Sequence, residues 1–159
     1  MHDIILLTIF QEGQPMHTYL KLLLLLLISS SSALLARDDI DDYSVSEALA
    51  SADAKSKLGD TVKFYFGETP YPTPKEKFGE FKTNKKTNAF NKSDKEACHW
   101  VFLSAMISLK ERAVKEGGNA VVEIKSNYKG TLTSSDTTFK CGAGAIIAGV
   151  ALTGKVVKL

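Results

Sequence analysis

The sequence predicts an α+β fold: one main helix packed on a mostly antiparallel sheet, with a short N-terminal helix. Three observations lead to it. Residues 93–118 carry a broad apolar face at helical spacing, and residues 62–66, 119–126 and 137–143 alternate apolar with polar side chains. The two cysteines, one in the helical stretch and one in the last alternating stretch, both fall on apolar faces.

The first segment is read as a leader rather than part of the fold. Met16 to Lys21 is a short basic head, Leu22 to Ile28 is apolar throughout, and Ser29 to Ala36 is rich in small residues before Arg37-Asp38-Asp39. That order predicts a secretory signal peptide over residues 16–36. The apolar run is shorter than the roughly 20 residues a helix needs to span a bilayer. Residues 1–15 precede an already complete signal and read as an upstream extension, with Met16 as the start. Cleavage after Ala33 or after Ala36 fits. No cysteine follows the apolar run closely, so a lipid anchor is not expected, nor a transmembrane anchor after processing. The expected location is periplasmic or secreted.

What remains is roughly 120 residues, enough for one modest core, and residues 44–159 are expected to form a single domain. Removing residues 1–36 takes Lys21, Asp3 and Glu12 from 20 basic and 18 acidic side chains. The remainder is only mildly basic, so no nucleic-acid partner is expected.

Along the domain, residues 37–43 read as an acidic flexible leader. Asp38-Asp39-Ile40-Asp41-Asp42 lacks the turn glycine and distal glutamate of a calcium loop. Ser44-Val45-Ser46-Glu47 is a capping box that opens a short helix towards Leu58, with Gly59 as the stop. Val62, Phe64 and Phe66 share one face of a strand. Pro70, Pro72 and Pro74 impose an extended loop. The lysine- and asparagine-rich stretch from Lys75 to Asn91 reads as a twisted edge strand or a hairpin.

Ser93-Asp94-Lys95-Glu96 is a second capping box, and Gly117-Gly118 is a C-terminal stop. At 100° per residue, Cys98, Val101, Phe102, Ala105, Met106, Leu109 and Ala113 share one face. Trp100, Leu103, Ile107 and Val114 form a narrower second stripe, which either meets the short helix or docks a partner. After the helix, Ala120, Val122 and Ile124 are assigned to one side of a strand, Tyr128 to Asp136 to a polar hairpin loop, and Phe139, Cys141 and Ala143 to one face of the next strand. Cys141 thus points where the helix should lie and Cys98 points towards the sheet. This predicts a Cys98–Cys141 disulfide, as expected of two cysteines in an exported chain. Chain entropy gives it about 4 kcal/mol, a sizeable share of a stability of roughly 5–15 kcal/mol.

The candidate chemistry is thin. Gly149 to Val156 lacks one residue of a phosphate-binding loop, G-x-x-x-x-G-K-[ST]: Val156 stands where Ser or Thr would hold Mg²⁺, and three residues cannot supply the following helix. Gly142-Ala-Gly144 has the wrong spacing for a dinucleotide loop. The apolar run 145–152 instead suits a covered central strand. His99 beside Cys98 suggests a metal ligand or a nucleophile–base pair. Helical neighbours diverge by about 100°, and a zinc site needs four ligands, so His99 is read as a boundary residue at the helix rim. No catalytic residue, metal or cofactor is expected. Lys82, Lys85, Lys86 and Lys92 form a candidate anion-binding surface, or a solvated edge that discourages strand-to-strand aggregation.

The Ala36-Arg-Asp-Asp39 junction, Val62 to Gly67, Lys85 to Phe90, Lys95 to Cys98, Cys141 to Ala145 and Ala148 to Leu152 together resemble a group of small exported proteobacterial proteins. These carry the label "excinuclease ATPase subunit", a role that the near-loop at Gly149 and the leader both argue against. The junction Gly117-Gly-Asn-Ala-Val-Val122 is similar to the helix-to-strand junction of YbjQ/RcsF-like domains, with Gly118 in place of the usual Ala. That resemblance implies a compact helix-on-sheet fold. The expected function is a non-enzymatic exported envelope protein, a binding or stress-sensing module, whose partner is an envelope protein or an anionic envelope component. The alternatives are anion- or envelope-surface binding through the lysine strip, and a hydrolase with a scattered site.

Overall fold

The computed structural model describes residues 39–159, which belong to one compact unit. The extension 1–15, the signal peptide 16–36 and residues 37–38 lie outside the described residues. The chain runs β1 (Asp39–Ser44), α1 (Val45–Ala50), α2 (Ala52–Leu58), β2 (Lys63–Phe66), β3 (Glu76–Asn88), α3 (Asp94–Glu116), β4 (Ala120–Tyr128), β5 (Thr131–Thr133), β6 (Thr138–Ala143) and β7 (Ile147–Lys158). This is the α+β architecture expected: a long helix, α3, on a mostly antiparallel curled sheet.

The last strand organises the sheet. Along one edge β7 pairs with the whole of β3, from Glu76↔Lys158 to Asn88↔Ile147. Its other edge is shared: Ala148 and Gly149 pair with β6, and Leu152 to Val157 pair with β4. Beyond β6 lies β1, beyond β4 lies β2 in the one parallel pairing, and β5 folds back on β4 as a hairpin. The near-phosphate-loop stretch from Gly149 is therefore paired strand, as the central-strand reading required.

Local chemistry explains the ends of α3. Ser93 Oγ accepts from Glu96 N at 3.1 Å and so satisfies an N–H the first turn leaves free. Gly117 takes φ +84°, which glycine adopts at no steric cost, and Gly118 N donates to Ala113 O at 2.8 Å. The broad face named from the sequence is buried at every position, Cys98 through Ala113. Phe102 stacks on Phe139 of β6 at 4.0 Å between centroids, and Val150, Leu152 and Val156 of β7 complete the core beneath the helix. In the second stripe Leu103 is buried and Ile107 packs against the core, whereas Trp100 and Val114 are 50% and 57% exposed.

The structure corrects several readings. The acidic segment is not a flexible leader from Asp39 onward but edge strand β1, paired with β6 through Asp39↔Ala143 to Ser44↔Thr138 and tied by Lys140 Nζ to Asp42 Oδ2 at 2.6 Å. The first helix is broken in two at Ser51, which is extended (ψ 148°) and caps α2 by accepting from Ala54 N at 3.1 Å. Of the two readings of residues 75–91, the edge strand holds, over Glu76–Asn88, with a bulge between Lys77 and Gly79. The 128–136 loop contains β5. The covered strand begins at Ile147 rather than Ala145 and runs to Lys158.

Candidate functional site

The most instructive correction lies in β4. Alternation assigned Ala120, Val122 and Ile124 to one side. The register instead shifts between Val122 and Lys125, and Glu123 takes φ +50°. The extra residue of this bulge sends Val121 and Ile124 into the core under α3, while Ala120 and Val122 join Val157 in a small cluster on the other face. A glutamate in the left-handed region within a strand is uncommon and costs of order 1 kcal/mol, so its surroundings must hold it there.

Those surroundings lie on the sheet face away from α3. Lys155 of β7 donates to Glu123 Oε2 at 2.6 Å, and Tyr71 Oη donates to Glu123 Oε1 at 2.9 Å. Tyr71 comes from the proline loop, where Pro70 and Pro72 flank it, and with Tyr65 it packs on Ala120, Val122 and Val157. One strand further, Glu80 of β3 stands opposite Lys155 and accepts from Thr153 Oγ1. A cavity of about 250 Å³ opens between Tyr71, Pro74, Lys77, Glu80, Val122 and Glu123. A second of about 150 Å³ adjoins Lys125, Leu132 and Thr153, and the two share Glu80, Glu123 and Lys155. Together they make one groove across the outer face with a charged row at its middle.

The charges in this row are fixed. The hydrogen bond from Lys155 holds the Glu123 carboxyl below the ordinary glutamate value; burial opposes it less strongly, and the weaker effect of the Tyr71 bond adds to the lowering. The same bond to Glu123 pushes the Lys155 ammonium up, and the bond to Glu123 raises the Tyr71 phenol. Each group is driven away from proton exchange near neutrality, whereas a general acid or base needs a pKa close to working pH.

The residues named from the sequence fall elsewhere. Cys98 and Cys141 are joined, with Cα atoms 5.9 Å apart, and link α3 to β6 inside the core. His99 sits at the helix rim with its ring 6.4 Å from those of Tyr43 and Phe139; burial, and then the nearby Lys95, lower its pKa. The lysine strip is divided. Lys82 and Lys86 stand opposite Thr153 and Gly149 on the outer face, Lys85 stands opposite the core residue Val150 on the helix side, and Lys92 lies beyond the strand in a turn. None of the four ammonium groups makes a hydrogen bond or ion pair among the described residues.

Sequence reasoning passed over Glu80, Glu123, Tyr71 and Thr153, and met Lys155 only as the lysine of the near-phosphate loop. The available signal was a charged residue inside an apolar strand run, as in Val121-Val122-Glu123-Ile124 and Gly154-Lys155-Val156. Among the described residues no group of three His, Cys, Asp or Glu side chains is placed to hold a metal ion, and no helix is long and apolar enough to cross a membrane. Comparison with family models, with curated proteins and with solved structures finds no match for this chain.

Proposed function

We propose that the chain is an exported, disulfide-stapled envelope protein acting as a non-enzymatic binding module, with the Glu80–Lys155–Glu123 groove as its ligand site. The observation that carries the binding reading is Glu123. A strand residue held at φ +50° with both carboxylate oxygens engaged is a preorganised contact surface, and such strain collects at functional positions. Export is supported by the leader in the sequence and by the buried Cys98–Cys141 bridge, since such bridges persist in oxidising compartments.

The groove's chemistry indicates the ligand class. The Lys77 ammonium makes no hydrogen bond or ion pair among the described residues, and Glu80 uses one oxygen for Thr153. A ligand carrying charges of both signs on a short apolar frame, such as a short peptide, meets both. Hydrolysis would ask one of the two groove carboxylates to carry a proton near neutrality; the lowered pKa of Glu123 supports binding rather than turnover. A stress-sensing role would be served by the same groove, with occupancy as the signal.

Isothermal titration of the exported protein with a panel of tetrapeptides carrying both lysine and glutamate tests this. Saturable binding that weakens about tenfold on Lys77→Ala or Glu80→Ala, roughly one lost charge-assisted contact, is expected. Absence of binding across the panel, or binding indifferent to both substitutions, would overturn it.

A further inference from the structure

The far end of the sheet carries a feature that the groove does not use. The β6–β7 connection and the end of β3 meet there: Ala89 N donates to Ile146 O at 2.7 Å, and Asn88 stands opposite Ile147. Phe90, Ile146 and Ile147 are thereby gathered at one tip, and they are 60%, 65% and 54% exposed. A group of large apolar side chains left in water at a strand end marks a contact surface. Its rim is basic. Lys86 lies two residues before Asn88 on the outer face, and Lys92 is in the turn that follows Phe90, where its N–H bonds Ala89 O at 3.1 Å. Both ammonium groups are unpaired among the described residues, whereas the acidic Asp39 and Asp94 of that end have partners.

From this juxtaposition we infer that the tip is a docking surface for an anionic lipid bilayer, with Phe90, Ile146 and Ile147 entering the headgroup region and Lys86 and Lys92 meeting its phosphates. An apolar wedge with a cationic rim is the combination that partitions to such an interface. Lipid is favoured over a protein partner because the apolar group is small, protrudes at a turn and has cations beside it. The geometry also sets a limit. Lys82 lies six residues up the strand from Asn88, about 20 Å at the usual rise. That exceeds the ~8 Å screening length at physiological salt, so a tip-on protein leaves Lys82 out of the contact.

The test is co-sedimentation of the exported protein with vesicles of phosphatidylcholine alone and with one-third phosphatidylglycerol. Binding is expected only to the anionic vesicles. It should fall about fivefold for each of Lys86→Ala and Lys92→Ala, fall at least tenfold for Phe90→Ser with Ile146→Ser, and stay within twofold for Lys82→Ala. Trp100 fluorescence reports whether each variant is folded, and the two lysine variants, both on exposed side chains, keep the test open if the apolar pair misfolds. Equal binding to neutral vesicles, a Lys82→Ala loss as large as that of Lys86→Ala, or a concentration-dependent dimer abolished by the serine pair would each overturn the inference.

Discussion

Lys155 Nζ lies 2.6 Å from Glu123 Oε2 across the seam between β7 and β4, at the point where β4 carries an extra residue. The bulge lifts Glu123 out of the alternation, and the lysine holds it in a conformation that its side chain disfavours. The first prediction follows. Glu123→Gly relieves the left-handed strain, worth about 1 kcal/mol, and loses a half-exposed ion pair and the Tyr71 hydrogen bond, together worth about as much. The melting temperature should therefore stay within about 3 °C of the parent, while peptide binding is lost. Glu123→Val, β-branched at positive φ, should melt several degrees lower.

The same pair predicts a pH response. Glu123 has a lowered folded pKa, so its contribution is present above the ordinary glutamate value and lost as pH falls through the lowered one. Lys155 and Tyr71 have raised folded values, so theirs are present below their ordinary values and lost as pH climbs through the raised ones. Thermal melts from pH 3 to pH 11 should show a plateau between these limits. Lys155→Met should soften both shoulders by a small amount, because the side chains are partly solvated.

His99 adds a response nearer neutrality. Its folded pKa is lowered, first by burial and then by Lys95, so the unfolded chain binds the proton better. Stability should decline as pH drops below about 6.5, the ordinary histidine value. His99→Phe, which places a neutral ring beside Tyr43 and Phe139, should remove that decline: the variant gains melting temperature on the parent at pH 5 and not at pH 8.

Two glycines are predicted to be packing requirements. A Cβ on Gly118 would lie 2.9 Å from Val157 O and 2.6 Å from Val156 Cγ1, and one on Gly154 would lie 2.6 Å from Val121 Cγ1. Gly118→Ala and Gly154→Ala should each cost about 1–3 kcal/mol, read from chemical denaturation. Gly154 thereby has a structural reason to be glycine inside the near-phosphate-loop sequence: the crowding of β7 against β4.

The disulfide should resist reductant while the protein is folded, because both cysteines are wholly buried. Dithiothreitol alone should leave the bridge intact, and added denaturant should open it. With the partners 43 positions apart in the chain, the Cys98→Ala, Cys141→Ala double variant should lose about 4 kcal/mol, a fall of roughly 10–20 °C in melting temperature.

The helix and the staple were legible because their determinants are local. Ser93 and Gly117 mark the ends of α3 by capping chemistry, and the 3.6-residue period fixes which side chains reach the sheet. Phe139, Cys141 and Ala143 obeyed simple alternation, so both cysteines could be aimed correctly from separate stretches. The candidate site was not legible because it rests on pairings between distant strands. One added residue at Glu123 reverses the faces of β4, and only the seam with β7 shows where that residue falls. Asp39–Ser44 was hidden for a related reason: its acidic composition disfavours a strand, and the pairing with β6 and the Lys140 contact overrule that preference.

Export into an oxidising compartment is tested most directly by mass spectrometry of the protein recovered from fractionated cells after alkylation without reductant. The expected species comes from the envelope or the medium, begins after Ala33 or Ala36, and carries no alkylated cysteine. A cytosolic species with residues 16–36 still attached and with Cys98 and Cys141 both alkylated would contradict it.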